Sequence, residues 1–162
     1  MRIKSIMMAV IFASVCITAS AQVPAYRNPG YKGSVGLATV WYGPGIETSH
    51  GFMINPHHYL GIGVQGAFVP PITPFFEEFI EYQVYITKKM NAPFLGLKAG
   101  AYQTWGINEE DTFTVSYFCE PRFGWNWALG QTYGLTFSAG AFIGEHRNHV
   151  TCLPSLHLAF EF

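Results

Sequence analysis

Read in steps of two, the end of the chain alternates. Over residues 152–162 the side chains of Cys152, Pro154, Leu156, Leu158, Phe160 and Phe162 are apolar, whereas Leu153, Ser155, His157, Ala159 and Glu161 are mostly small, polar or charged. Successive strand residues face opposite sides, so this period predicts a ribbon with one apolar and one mixed face. A tilted strand crosses a bilayer in about 9–11 residues, and this stretch is long enough. Similar runs precede it at residues 31–41, 46–55, 59–68, 75–87, 93–105, 113–126 and 133–143. The third alternates most cleanly, with Leu60, Ile62, Val64 and Phe68 opposed by Gly61, Gly63, Gln65 and Ala67. In the fourth, Glu78 breaks the apolar face near its loop end.

The connections are short. Gly-Pro-Gly at 43–45, Asn-Pro-His-His at 55–58 and a polar turn at 88–91 join neighbouring runs. The prolines of 69–74 lack the donor a ladder needs and predict a loop, as do the acidic residues 106–112 and the polar stretch 144–149. Eight runs joined this way predict an all-β fold, an eight-stranded antiparallel up-and-down transmembrane β-barrel. The apolar parity is assigned to the outside. The other parity is rich in Gly, Ser, Thr, Glu, Lys and Arg and suits a narrow interior filled by side chains, which leaves no pore of useful size.

Composition supports that assignment. Charged residues are 12% of the chain, aromatics 17%, and there are 17 glycines, a balance unlike a soluble secreted domain. Residues 1–21 read as a signal peptide: Arg2 and Lys4 open it, 6–15 are apolar, and Ala19-Ser20-Ala21 offers a cleavage site. The barrel domain is therefore expected over residues 22–162, with 22–30 as a polar lead-in on the periplasmic side. The formal net charge of −1 gives no electrostatic case for a nucleic-acid partner. Cys119 and Cys152 fall on the apolar parity of non-adjacent runs, so two lipid-facing thiols are expected rather than a disulfide.

Charges on the inward parity are the sharpest local expectation. Pairing Thr87 with Ala92 sets Glu81 opposite Lys98, and pairing Trp105 with Phe113 sets Lys98 opposite Glu120. One ammonium would then sit between two carboxylates, with Arg122 as the second cation of an interior charge network. Candidate chemistry is thinner. His57 and His58 lie in a turn and His146 and His149 in a loop, without the converging ligands a metal needs, so no metal and no cofactor is expected. A rim histidine with a serine or acidic partner would suit a lipid-modifying enzyme, an acyltransferase or deacylase acting on lipid A. His50 with Ser49 and Glu47, and His146 and His149 with Glu145, are the candidates, placed near the outer strand ends. A soluble carrier barrel is a third class; there the apolar parity would line a cavity.

The leader, the eight alternating runs, the small inward residues and the terminal His157-Leu158-Ala159-Phe160-Glu161-Phe162 together resemble the small outer-membrane β-barrel proteins of the OmpX/OmpA type. The resemblance spans essentially all of the chain after the leader, although its presumed outer loops are shorter than the family's. It implies a non-enzymatic structural or surface-interaction role in the outer membrane of a Gram-negative cell envelope. It also implies that Phe160 and Phe162 form an assembly signal read by the outer-membrane assembly machinery. Outer-membrane lipid and lipopolysaccharide are the surroundings it implies, and a monomer is expected.

Overall fold

The computed structural model describes residues 23–40, 43–69, 73–105, 113–146 and 149–162; the expected signal peptide lies outside them. A short 3₁₀ turn, η1 (Ala25–Arg27), precedes eight strands: β1 (Gly30–Val40), β2 (Gly43–Asn55), β3 (His58–Val69), β4 (Thr73–Tyr85), β5 (Ala92–Trp105), β6 (Phe113–Leu129), β7 (Tyr133–His146) and β8 (His149–Glu161). Each pairs antiparallel with the next, and β8 returns to β1, closing the barrel. Closure satisfies every strand edge within the wall, as a strand surrounded by lipid requires.

The register fixes the tilt. Following paired residues once round the wall leads from Gly30 through Met53, Tyr59, Gln83, Gly96, Arg122, Gly140 and Ser155 to Val40. The path returns to β1 ten residues higher (40 minus 30), a stagger that forces the strands to lean steeply against the barrel axis. The start of β1, the C-terminus and the turns after β2, β4 and β6 gather at one end, called here the terminal end; the last residues of β1, β3, β5 and β7 lie at the other, called the loop end. Gly130 (φ +85°) makes the left-handed bend after β6 that a side chain would strain.

Strands run further than the prolines and polar loops predict. Thr39 pairs Pro44, Phe68 pairs Pro74, and His146 pairs His149. A proline is tolerated at the start of a strand because little ladder there depends on its missing donor. The extension shortens the connections after β1, β3 and β7.

The two faces separate as the alternation predicts. Ile62 is 66% exposed and Leu97 46%, and Leu37, Ile80, Tyr82, Phe123, Phe137, Leu156 and Leu158 join them on the outside. Lys32, Glu47, Gln65, Glu81, Lys98, Glu120, Arg122 and Glu161 are buried inside. Aromatic Tyr31, Phe52, Tyr133, Phe160 and Phe162 crowd the outer wall toward the terminal end. Cys119 and Cys152 are free, exposed on the outside, and flank Ile143 in one row across three strands. Two strand spacings of about 4.8 Å put them beyond disulfide reach.

An outward position at mid-depth will not accept charge in a bilayer. Leu97→Arg and Phe137→Arg are each expected to cost about 2–4 kcal/mol in folding titrations into lipid vesicles. Leu97→Ile should titrate close to the parent, because it conserves volume and polarity.

Candidate functional site: a charged and sealed interior

Polar side chains on the inward parity have only each other to bond. At mid-depth the Lys98 ammonium of β5 binds Glu47 of β2 across the barrel, with Phe79 beneath it at 4.3 Å. Glu47 Oε2 also meets His157 Nδ1 at 3.1 Å, and His157 Nε2 meets Glu120 Oε1 at 2.6 Å. Ser155 donates to the same Glu120 oxygen. Both imidazole nitrogens thus face carboxylates. A neutral ring donates from one nitrogen only, so this geometry is satisfied by an imidazolium or by a proton on one carboxyl.

A second chain of contacts leads to the terminal end. Arg122 pairs with Glu81, and the Gln83 amide donates to Glu81 at 2.7 Å. Gln83 and the Tyr85 hydroxyl meet Lys32, whose ammonium lies 2.9 Å from Glu161. Asn126 donates to the other Glu161 oxygen at 2.7 Å, and Tyr26 donates to Asn126 at 2.6 Å. Each link gives a buried group a partner of opposite character, without which it would be costly to keep from water.

Residues 24–27 plug the terminal end. The Arg27 guanidinium donates to the carbonyls of Thr87 (2.6 Å) and Lys89 (2.9 Å) and lies 4.3 Å over the Tyr85 ring. Ala25 donates its N–H to Gln131 at 2.7 Å. Gly134 leaves room for the phenol: a Cβ there would lie 2.6 Å from the Tyr26 oxygen. Burial, and then the Glu161 carboxylate, raise the Tyr26 phenol above its ordinary value, so it stays protonated and donates. Behind the plug pack Met53, Tyr59, Tyr85, Ala92 and Phe94. At the loop end Ala67, Phe75, Phe79, Tyr102, Phe118 and Phe142 form an aromatic seal. Between the two lies a cavity of about 10 Å³ beside Glu47, Glu81, Arg122 and His157, the room of a single water.

The structure places Glu81, Lys98, Glu120 and Arg122 in this interior, with Lys98 opposite Glu81 and Glu120 in the backbone register. The expected ion contacts differ. Lys98 salt-bridges Glu47, three strands away, instead of either neighbour; Arg122 takes Glu81, and Glu120 takes His157. The long lysine stem reaches the barrel centre, where side chains from distant strands converge. Glu47, His157, Lys32, Glu161 and Arg27 carry much of the network, and inward parity flagged all but Arg27 as interior without naming their partners. The stretch from 22 to 30, expected as a lead-in, folds back into the mouth from residue 24.

The His50 constellation does not assemble. His50 faces outward, bonded to Tyr31 at 2.6 Å and Thr48 at 3.0 Å, while Ser49 and Glu47 face inward. It pairs with Gly33, toward the terminal end, so the placement at an outer rim is corrected as well. Glu145 and His149 are exposed at the loop end, and the His146 side chain of that second constellation lies outside the described residues. His57 and His58 bond the Tyr85 carbonyl and the Tyr82 hydroxyl, each at 2.6 Å. Among the described residues no three His, Cys, Asp or Glu side chains converge as a metal site. Ser155, His157 and Glu120 meet inside, but Ser155 donates to the carboxylate and both imidazole nitrogens are taken, so the cluster lacks a nucleophile–base contact.

These features define a closed eight-stranded barrel with an apolar outer wall and an ionic, filled interior. The same fold is found in the N-terminal β-barrel domain of Pseudomonas aeruginosa OprF, with a TM-score of 0.65, 9% identity, and coverage of 82% of this chain and 96% of that one. Neisserial surface protein A (NspA) matches with a TM-score of 0.60 and 14% identity over 81% of this chain and 91% of that one. At such identities the likeness is one of fold. No model of a known protein family and no curated protein gives a significant match.

The ion pairs make a signed expectation. Arg122→Met strands the buried Glu81 carboxylate and should lower stability by about 3–5 kcal/mol in urea titrations. Adding Glu81→Gln should restore most of that loss, because the carboxylate that Arg122 had paired is then gone.

Proposed function

We propose that this protein is a non-enzymatic barrel of the Gram-negative outer membrane, serving a structural or surface-interaction role in the cell envelope. The observation that carries the reading is the inversion of its two faces: Ile62, Ile80, Leu97 and Leu158 outside, Glu47, Lys98, Glu120 and Arg122 inside. In water that arrangement would expose the apolar wall and bury the charges. In lipid each face has the surroundings it needs. The fold shared with the OprF barrel domain and with a neisserial surface protein supports the assignment. The aromatic seal and the terminal plug favour a closed wall over a conduit.

On this reading residues 1–21 direct export, and the mature barrel sits as a monomer among outer-membrane lipid and lipopolysaccharide. Phe160, on the outer face of β8, and Phe162, the residue after it, present the signal that the assembly machinery reads. Nucleic acid is not a partner. The test is membrane fractionation, combined with migration on a gel before and after heating. The folded protein should partition with the outer membrane and migrate faster unheated than heated; recovery as a soluble protein would reject the reading.

Two outcomes follow. Phe162→Asp should be exported normally yet yield less heat-modifiable, protease-resistant barrel than the parent. In planar bilayers the purified parent should give no steady porin-sized conductance, since side chains fill the eight-stranded interior and the cavity beside Glu47 and Arg122 has the room of about one water.

A further inference from the structure

Glu78 of β4 places a carboxyl group on the apolar outer wall. It is exposed there between Val64 of β3 and Ala101 of β5, and it makes no hydrogen bond or ion pair with any described residue. It is the sixth of the 13 residues of β4. At roughly 3.3 Å per residue and a lean of about 40°, it stands about 12 Å below that strand's loop end. An ionisable group among such neighbours is costly without a partner and marks a candidate site. Beside it the wall is indented by a groove of about 530 Å³, the size of a ligand site. Thr48, Val64 and Glu78 form its row nearer the loop end, and His50, Ile62, Ile80 and Ala99 form the next row toward the terminal end. Thr48 and His50 bond each other, and further the Ser34 carbonyl and the Tyr31 hydroxyl. Of the three polar side chains lining the groove, Glu78 alone is unpartnered among the described residues.

A second copy of the chain does not supply the complement. Among the described residues Arg27, Lys32, Lys98 and Arg122 are buried, and the exposed cations are Lys88 and Lys89, in the turn after β4 at the terminal end. A copy lying in the same orientation therefore brings no cation to the level of Glu78. The complement has to come from the lipid. A head-group ammonium lies in the polar layer, outside the hydrocarbon. An amide N–H or a hydroxyl at the root of an acyl chain lies deeper, among the first carbons of the chain. The groove has the matching direction: from Glu78 it continues over Ile62, Ile80 and Ala99 toward the terminal end, as a chain rooted in the loop-end leaflet would.

We propose that this groove binds an amide-linked, hydroxylated acyl chain of lipopolysaccharide, whose N–H or O–H donates to Glu78 while the chain lies over Ile62, Ile80 and Ala99. The proposal rests on the outer-membrane reading, with the terminal end toward the periplasm, and narrows it to one site. The test uses the full barrel refolded in detergent micelles and mixed with lipid A or with phosphatidylglycerol, an anionic lipid whose ester-linked chains lack such donors. Bound lipid is counted by native mass spectrometry. The parent should hold one lipid A per barrel and bind phosphatidylglycerol about tenfold more weakly, the loss of one hydrogen bond. Glu78→Leu removes the acceptor and Ala99→Trp fills the groove, and both keep the wall apolar, so the heat-dependent gel shift should persist in each. Each should weaken lipid A binding by about tenfold, whereas Leu158→Ala, on β8 across the barrel, should leave it unchanged. Equal binding of the two lipids by the parent, undiminished lipid A binding in either groove variant, or an equal loss in Leu158→Ala would overturn the proposal. So would a fold lost in either groove variant, since those residues would then serve the wall itself. A soluble barrel fails the outer-membrane reading; a heat-modifiable membrane barrel that does not retain lipid A fails this proposal alone.

Discussion

Closing a sheet of eight strands removes every edge and leaves an interior that only side chains can fill. The rest of this protein follows from that constraint. Inward residues have no bulk water to bond, so a buried charge is costly unless a partner within the barrel meets it. The stagger of ten residues, from Gly30 to Val40 round the wall, tilts the strands. Tilt brings residues from distant strands to one level, and it lets Glu47 of β2 meet Lys98 of β5. The ionic interior is thus a product of closure and stagger together.

Sealing both ends completes the wall. Phe75, Tyr102, Phe118 and Phe142 close the loop end by ring packing, with Phe118 and Phe142 stacked at 5.0 Å. The terminal end is closed differently, by Tyr26 and Arg27 tucked under the turns. Apolar closure on one side and hydrogen-bonded closure on the other hold the ionic layer away from water. A low-dielectric setting strengthens every paired contact and penalises every unpaired one, which favours one arrangement of the core.

Much of this was legible in the chain. Period-two alternation separated the lipid-type face from the interior, because one residue of slip would invert every side chain. The polar turn after β4 and the pairing of Trp105 with Phe113 set the register of β4, β5 and β6, and counting from them placed Lys98 opposite Glu81 and Glu120. Counting yields neighbours in the wall, whereas Lys98–Glu47 and Glu47–His157–Glu120 cross the lumen. Those contacts depend on closure and tilt, and a linear pattern carries neither. The plug escaped notice for another reason: residues 22–30 have no periodicity, and Tyr26 and Arg27 gain their roles only where the turns converge. His50 shows the converse, for Ser49 and Glu47 lie near it in sequence but on the opposite face of the sheet.

The central claim is that the apolar parity faces lipid while the charged parity faces a closed interior. Spin labels placed singly at residues 95 to 100, with Cys119 and Cys152 changed to serine, test it most directly in vesicles. Accessibility to membrane-dissolved oxygen should alternate, high at 95, 97 and 99 and low at 96, 98 and 100. A flat profile, or one with the alternation inverted, would contradict the account.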